Sequence, residues 1–482
     1  MTDQTIVYIT FSAYILMMFI IGWLALRRTH NQSDYILGGR KLGKWTTAIS
    51  AGASDMSGWL LLGLPGYAFL AGLEAMWIAM GLYIGTCVNW YCVAPRLRTQ
   101  TQSLNNALTI PEYFEYRFKD NSHLLRIISA IFILLFYLFY TSSGFVAGGK
   151  LFESVFGISY QTAVIVSALT ILVYTCLGGF LAVSWTDLIQ GLLMAFALSY
   201  VALIALYKVG GFETLFNWMT IVNTDLVNPY VNVTEGALGL MGIISLLAWG
   251  LGYFGQPHIL VRFMAIKSEK LIPQARTIAI YWTAIGLLSA LLIGFSGIAL
   301  LGNQLHASDS EKVFIELLHL LLHPVPAGIC LAAILAAIMS TVDSQLLVAS
   351  SAITEDIYKI INAKATDKQL LLLARICVAL LTFFAAILAL QPDSNVLDLV
   401  AYAWAGFGAT FGPVIILSLF KKDLTRNSAL LGMITGGLSV ILWKNINLDF
   451  EIFQLYELVP GFVLATMVML INESISSVKN KV

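Results

Sequence analysis

The strongest constraint on the fold is a series of apolar stretches, each long enough to cross a lipid bilayer. A helix needs about 20 predominantly apolar residues to span the hydrocarbon core. Such stretches occupy 6–27, 45–70, 73–95, 124–148, 160–183, 187–208, 236–262, 276–302, 325–352, 369–391, 396–420, 427–443 and 454–472. We therefore predict an all-α membrane protein with about thirteen transmembrane helices.

The composition agrees with lipid as the surrounding solvent. Hydrophobic residues make up 59% of the chain and charged residues only 11%, whereas roughly a quarter of the residues in a soluble domain are charged. The formal net charge is zero, so nothing indicates a nucleic-acid partner. No obligatory protein partner is evident either. The five cysteines all lie in apolar stretches, which predicts buried apolar side chains rather than disulfides or a metal cluster: Cys87, Cys92, Cys176, Cys330 and Cys377.

The positive residues predict how the chain is oriented. If the thirteen stretches alternate across the membrane, one side receives all but four of the 27 Lys and Arg residues. The exceptions are Lys150, Lys208, Lys312 and Lys444. Cytoplasmic loops carry the excess of Lys and Arg, so we expect the N-terminus outside and the C-terminus in the cytoplasm. No basic region precedes the first stretch, so we expect it to be retained as a helix and not removed as a signal peptide.

The second stretch breaks the pattern of a continuous apolar helix between Ser50 and Trp59. Gly52, Ser54, Ser57 and Gly58 weaken the helix, and Asp55 places a carboxylate near the middle of the membrane. An isolated carboxylate there costs about 2.5–3.5 kcal/mol on insertion scales, so a cation or a hydrogen-bond donor must offset the cost. One interpretation is a structural aspartate bonded to a neighbouring helix. The other, which the flanking glycines and serines favour, is an ion or substrate site.

The seventh stretch is interrupted between Trp249 and His258. Three glycines and a proline lie in this segment, and Trp249 and Tyr253 share one helical face at four-residue spacing. The two aromatic side chains either pack against neighbouring helices or line a cavity at the interruption.

The ninth stretch carries small and polar side chains on one face. Ala337, Ser340, Thr341 and Ser344 follow helical spacing, and Asp343 lies beside them. Small residues often serve close helix packing in membranes, but the hydroxyls could also supply oxygens to a hard cation. Asp343 tilts the interpretation towards a cation site.

The two interrupted stretches occupy corresponding places in two blocks of five. The odd block length puts the blocks in opposite orientations, and such paired interruptions mark a binding site at the membrane midplane. We therefore predict a single transporter domain over 1–482. An extra helix and loop form 1–44, the five-helix repeats are 45–208 and 236–420, and two further helices lie in 421–482.

Several motifs resemble those of the sodium/solute symporter family, and within it the bacterial sodium/proline symporters. They cover nearly the whole chain, and comprise Asp34 to Arg40, Ser50 to Trp59, Gly178 to Asp187, Trp249 to His258, Ile334 to Thr341, Ser351 to Asp356 and Tyr402 to Gly408. The resemblance implies a leucine-transporter-type core of five plus five inverted helices, which agrees with the predicted blocks. It further implies a location in the cytoplasmic (inner) membrane of a bacterium.

The resemblance also implies the ligands. One sodium ion would lie between the second and ninth stretches, bound by carbonyls of Ala53, Met56 and Ala337 and hydroxyls of Ser340 and Thr341. Asp55 would support sodium binding and couple it to the substrate, L-proline. The residues expected to line the proline site are Ser57, Gly58, Trp59, Tyr140, Trp249 and Tyr253. At Asp343, an added carboxylate would tune cation affinity or create a second cation site.

These features predict sodium-coupled uptake of L-proline by alternating access. No cofactor besides the coupling ion is expected, and the sequence has no Gly-x-x-x-x-Gly-Lys-Ser/Thr loop for ATP. The nearest alternative is the same mechanism with another amino acid or a carboxylate, and a transporter-like membrane sensor is a further one. An enzyme is not expected, because the stretches contain no nucleophile–base pair or His/Glu metal pattern. A passive channel would not need paired interruptions.

Overall fold

The computed structural model describes residues 3–26, 36–177, 179–234, 236–391, 394–446 and 451–479, almost all of them helical. Arg27, Arg28, Asp34, Tyr35, Gly178 and Lys481, which entered the charge pattern or the motifs, lie outside the described residues. The first half of the chain contains α1 Asp3–Leu26, α2 Lys44–Asp55, α3 Leu64–Ala71, α4 Met76–Val88, α5 Ala94–Ser103, α6 Ile110–Phe118, α7 Leu124–Phe156, α8 Tyr160–Leu177, α9 Phe180–Val209 and α10 Phe212–Val222.

The second half repeats this helical character. It contains α11 Gly239–Leu247, α12 Pro257–Ala265, α13 Ile272–Leu301, α14 Val313–Leu321, α15 Pro324–Ile353, α16 Lys359–Ile361, α17 Asp367–Ala389, α18 Val396–Phe420, α19 Arg426–Lys444 and α20 Leu458–Lys479. A short antiparallel hairpin, β1 Val231–Asn232 and β2 Gly236–Ala237, lies in the loop before α11.

Short helical turns of other types join these elements. The 3-10 turns are Gly38–Arg40, Gly72–Ala75, Thr224–Val227, Ala248–Gly255, Glu269–Leu271, Gly302–Gln304, Ala307–Lys312 and Glu451–Gln454, and the π turns are Trp59–Gly63, Asn89–Val93 and Thr354–Tyr358. Single π turns within helices frequently occur at functional sites.

The long apolar helices confirm that this is a membrane protein. In the described ranges, eight helices are long and apolar enough to cross a membrane, or nine if the pair Gly239–Gly255 and Pro257–Ala265, bent by 46°, forms one span. The run Trp59–Ser103 counts as one of them, although it contains parts of two predicted stretches and turns at Gly72, where φ is +61°. The count of thirteen therefore stays a prediction.

One predicted boundary is wrong. The sequence places a loop between 183 and 187, but Val183 to Asp187 lie inside α9, which begins at Phe180. The helices separate at Gly179, whose backbone is extended (φ −130°, ψ −173°). Glycine loses more conformational freedom in a helix than any other residue. Gly179 therefore marks the boundary between the two helices better than the polar residues that follow it.

Two of the segments between the predicted apolar stretches, 99–123 and 209–235, each contain a helix. The loop 209–235 forms α10, in which Leu215 and Met219 are buried and Trp218 and Ile221 are exposed. The stretch 99–123 contains α6, whose N-cap Thr109 accepts a hydrogen bond from the Glu112 amide.

The centre of the molecule is α15, which is buried along most of its length. It packs against α1, α2, α7, α9 and α17. The broken segment between α2 and α3 lies beside it, and the second broken segment, between α11 and α12, packs against α4 and α18. The two interruptions therefore meet in the interior, where backbone groups can leave a helix without facing lipid.

Candidate functional site

The first interruption begins where α2 ends at Asp55. Met56 leaves the helical conformation (φ −82°, ψ 78°), and the chain resumes as the π turn Trp59–Gly63. The Asp55 carbonyl accepts hydrogen bonds from the Ser57 amide at 3.0 Å, the Trp59 indole at 3.0 Å and the Tyr140 hydroxyl at 3.3 Å. The break that the sequence predicted is confirmed, and its carbonyl groups are available to side chains from other helices.

The second interruption lies between the 3-10 turn Ala248–Gly255 and α12. Gln256 is extended (φ −78°, ψ 107°), and Pro257 begins the next helix, where its missing N–H costs nothing. The Gln256 amide donates to the carbonyls of Gly252 and Trp404 at 3.1 and 3.2 Å. This side chain therefore fixes the break against α18.

The hydroxyls of α15 meet the end of α2. Ser340 Oγ donates to the Ala53 carbonyl at 2.8 Å and lies 3.1 Å from the Ala337 carbonyl. Thr341 Oγ1 lies 3.3 Å from the same Ala53 oxygen. Four oxygen atoms from two helices are thus linked in a chain of hydrogen-bond distances that runs from Ala337 through Ser340 and Ala53 to Thr341. Met56, at the break that follows Asp55, is also buried. Oxygen atoms of this kind suit a hard cation.

The Asp55 carboxylate takes a different direction from these hydroxyls. Its Oδ2 accepts a hydrogen bond of 2.6 Å from the Tyr253 hydroxyl of the second interruption. Its Oδ1 is buried without a hydrogen-bond partner, and no Lys, Arg or His among the described residues lies within ion-pairing distance of it. The structure therefore joins the two interruptions through this carboxylate.

The aromatic residues predicted for the substrate site divide into two groups. Trp59, Tyr140 and Tyr253 all touch Asp55 through the contacts above and are almost fully buried. Trp249 instead stacks on Tyr456, with ring centroids 5.5 Å apart and planes at 20°. Its carbonyl accepts from the Trp404 indole at 2.7 Å.

Ser57 and Gly58 complete the predicted set at the first interruption. The Ser57 hydroxyl accepts a bond from the Trp59 amide at 3.3 Å. A Cβ atom added at Gly58 would lie 2.7 Å from Ala147 Cβ and 3.3 Å from Ile338, so the absence of a side chain lets the broken segment approach α7 and α15.

A buried ion-pair cluster lies beside the hydroxyls and was missed from the sequence. The Arg262 guanidinium is fully buried and donates to Asp187 at 3.1 Å, Ser344 at 2.5 Å and Ser50 at 3.1 Å. It thereby links α12 to α9, α15 and α2. Asp187 lies in a motif that the sequence singled out, but its pairing with Arg262 spans 75 residues and leaves no local signal.

Asp343 is fully buried but contributes no contact to the Ala53 carbonyl. Its Oδ1 lies 3.4 Å from Ser344 Oγ, and its Oδ2 has no hydrogen-bond partner. Its contact with Ser344, which accepts a hydrogen bond from Arg262, places it beside the Arg262 cluster.

Comparison with known proteins identifies the family of the chain. The family model of the sodium:solute symporters matches residues 35–436. The chain belongs to the sodium:solute symporter family. It is a multi-pass membrane transporter and not an enzyme, and the family implies sodium as its coupling ion.

Relatives and solved structures extend this result over almost the full chain. The chain is 50% identical to the sodium/proline symporter of Escherichia coli and 49% identical to that of Salmonella typhimurium, over 97% of its own length and 92% of theirs. It is 46% identical to the sodium/proline symporter of Staphylococcus aureus over 96% and 91%.

The fold is that of known sodium symporters. A sodium-coupled sialic acid symporter, solved in a substrate-bound outward-open state, superimposes with a TM-score of 0.79 at 20% identity, over 98% of this chain and 97% of that one. MhsT in complex with L-phenylalanine gives a TM-score of 0.54 at 13% identity, over 89% and 98%. This likeness shows a leucine-transporter-type fold, as the sequence predicted.

Proposed function

We propose that this symporter couples the inward movement of sodium to uptake of L-proline across the cytoplasmic membrane of a bacterium. The observation that carries the proposal is the identity of 46–50% to three sodium/proline symporters over more than nine-tenths of the chain. The meeting of two broken helices around buried polar groups supports a midplane site of the kind such transporters use.

Sodium is proposed to bind between α2 and α15. Its ligands are the carbonyls of Ala53, Met56 and Ala337 and the hydroxyls of Ser340 and Thr341. The support is the short distance between these hydroxyls and the Ala53 carbonyl. Bound sodium would replace the hydrogen bonds that now join them and would hold the end of α2 against α15.

Proline is proposed to bind at the two interruptions, against Ser57, Gly58, Trp59, Tyr140, Trp249 and Tyr253. Proline is a zwitterion with an apolar ring. Exposed amides at a helix break suit its carboxylate, and carbonyl or carboxylate oxygens suit its secondary amine. The buried aromatic rings around Asp55 suit the pyrrolidine ring. Asp55 is proposed to couple the two ligands, because its residue lies in the break beside the sodium ligands and its side chain bonds Tyr253.

Three further predictions belong to this proposal. The N-terminus lies outside and the C-terminus in the cytoplasm. The two five-helix repeats are 45–208 and 236–420, with an extra helix before them and two after. Asp343 adds negative charge near the Ser340 and Thr341 hydroxyls and thereby tunes cation affinity, or it binds a second cation itself.

The decisive experiment measures uptake of radiolabelled L-proline into proteoliposomes with an imposed inward sodium gradient. We expect uptake to need sodium. We also expect Asp55→Asn to lower uptake at least about tenfold, because the variant loses the charge that couples the two ligands and a tenfold change corresponds to only about 1.4 kcal/mol. The matched control is Asp423→Asn, which removes an exposed carboxylate. Uptake that persists without sodium would refute the coupling, and stronger uptake of another amino acid or carboxylate would replace proline as substrate.

A further inference from the structure

An apolar groove lies on the outer surface of the helices, between α4 and α13. It has a volume of about 350 Å³ and is lined by residues of these two helices, among them Met80, Tyr83, Ala284 and Leu288. Met80 and Leu288 are 43% and 62% exposed, and both helices belong to spans long and apolar enough to cross a membrane. The groove therefore opens towards the hydrocarbon of the bilayer, and none of its lining residues belongs to the proposed sodium or proline site.

An arginine without an anionic partner lies where the two helices begin and end. Arg276 is in the first turns of α13, and its guanidinium carbon lies 3.6 Å from the centre of the Tyr91 ring, in the π turn that follows α4. Among the described residues, no carboxylate lies within ion-pairing distance of Arg276, and no oxygen accepts a hydrogen bond from it. A guanidinium above a ring keeps its N–H donors at its edge, in a fork that matches the oxygens of a phosphate.

The spacing between the arginine and the groove fits a phospholipid. Tyr83 comes eight residues before Tyr91, and Ala284 comes eight residues after Arg276. Eight helical residues span about 12 Å, and one leaflet contributes about 15 Å to the hydrocarbon core. A phosphate at Arg276 therefore places an acyl chain along the groove, past the exposed side chain of Ile84. In the predicted orientation this is a lipid of the cytoplasmic leaflet.

The charge at this end of the groove favours an anionic head group. A zwitterionic lipid carries its own cation next to the phosphate, whereas an anionic lipid brings a negative charge that Arg276 can balance. Basic pockets between transmembrane helices on the cytoplasmic side bind anionic head groups in this way. A helix of another protein could cover the groove, but it would compensate Arg276 only with an acidic side chain at the edge of the membrane, where such residues are rare.

We propose that an anionic phospholipid binds here, with its phosphate on Arg276 and one acyl chain in the groove between α4 and α13. The two helices support both interruptions, because α4 packs against the 3-10 turn Ala248–Gly255 and α13 packs against α2 and α3. A lipid held between them stabilises their spacing, so its binding raises the rate of transport. The site itself does not depend on which substrate is carried.

The test is native mass spectrometry of the purified protein, titrated with phosphatidylglycerol or with phosphatidylcholine of the same acyl chains. We expect one phosphatidylglycerol per chain to bind more tightly than phosphatidylcholine. Arg276→Gln should weaken phosphatidylglycerol at least about tenfold, because it removes hydrogen bonds to a charged group. Ala284→Phe, which fills the groove and keeps the arginine, should weaken both lipids. The matched control is Arg375→Gln, which removes an exposed arginine of α17, a helix that packs against α7, α8 and α15 instead.

Proline uptake into phosphatidylcholine vesicles, with and without phosphatidylglycerol, gives a second measurement. We expect phosphatidylglycerol to raise the initial rate for the unaltered protein and for Arg375→Gln, but not for Arg276→Gln. An equal rate for all three overturns the effect on transport.

Two results of the binding experiment overturn the site itself: equal binding of the two lipids by the unaltered protein, and binding of phosphatidylglycerol by Arg276→Gln as tight as by Arg375→Gln. A dimer that persists with phosphatidylglycerol and is lost in Ala284→Phe also overturns it, because the groove then holds a second copy of the chain. If phosphatidylglycerol binds as expected but no vesicle takes up proline, the lipid site stands and the proposed substrate is wrong.

Discussion

At the scale of single residues, the site depends on how polar groups at the end of one helix are shared. Ala53 offers its carbonyl to two hydroxyls of α15, and Asp55, two residues later, offers its carboxylate to Tyr253. Because α2 stops here, the two groups face different neighbours although they are almost adjacent in sequence. Substitution of a single side chain at this point should therefore change ion binding while the helices stay folded.

The first residue-scale prediction concerns Ser340. Ser340→Ala removes one proposed ligand, and hydrogen bonds to charged partners contribute roughly 1.5–3 kcal/mol. We expect the sodium concentration for half-maximal uptake to rise about tenfold or more, with little change in protein stability. The control is Ser296→Ala, which removes a buried hydroxyl without a partner in α13. An unchanged sodium dependence in Ser340→Ala would remove this hydroxyl from the ion site.

At the scale of helices, the two interruptions are positioned by close packing and by a buried ion pair. Gly58 brings the first broken segment against Ala147 of α7 and Ile338 of α15. Arg262 ties α12 to Ser50 near the end of α2 and to Asp187 in α9. The broken segments therefore meet the long helices through specific contacts that substitution can disturb one at a time.

Gly58→Ala tests the packing of the first broken segment. The added methyl group would meet Ala147 Cβ at 2.7 Å, and overpacking of this kind typically costs 1–3 kcal/mol. We expect proline uptake to fall at least about tenfold while thermal unfolding in detergent shifts only modestly. Gly43→Ala is the matched control, because an added Cβ at Gly43 meets nothing within 4 Å. Equal uptake by the two variants would contradict the tight fit.

Arg262→Met tests the buried cluster. It leaves the Asp187 carboxylate buried without its cation, and breaking a buried pair costs about 3–5 kcal/mol. We expect the free energy of unfolding, measured by detergent-denaturant titration, to fall by that amount, and the double variant Arg262→Met, Asp187→Leu to recover part of it. Lys312→Met, which removes a partly exposed partner of Glu153 and Asp309, should cost less than about 1 kcal/mol. A double variant no more stable than Arg262→Met would show that the two residues act independently.

The sequence predicted these helix breaks well and their partners poorly. Glycine, serine and proline mark the segments 50–59 and 249–258 because they disfavour helix locally, and the structure confirms both breaks. The contact between Asp55 and Tyr253 spans 198 residues, and periodicity shows which face a side chain occupies but not which helix covers that face. For the same reason, the sequence placed Asp55 at the ion and substrate sites but did not show that its carboxylate would bond the Tyr253 hydroxyl.

At the scale of the whole molecule, the distribution of positive charge predicts how the transporter is oriented in the membrane. With thirteen alternating helices, all but four of the 27 Lys and Arg residues fall on one side. Cytoplasmic loops carry that excess. The membrane potential contributes about 2.3 kcal/mol per charge for each 100 mV, and sodium that moves inward with the substrate obtains this energy.

The orientation can be tested in intact cells with a membrane-impermeant maleimide and a variant lacking the native cysteines. Asn217→Cys in α10 and Lys364→Cys in the loop before α17 introduce thiols at two exposed positions. We expect Asn217→Cys to react from outside, and Lys364→Cys to react only after the membrane is permeabilised. Proline uptake by each variant serves as the control for folding. The opposite pattern would reverse the topology, and labelling of both positions in intact cells would show that an odd number of crossings does not separate them.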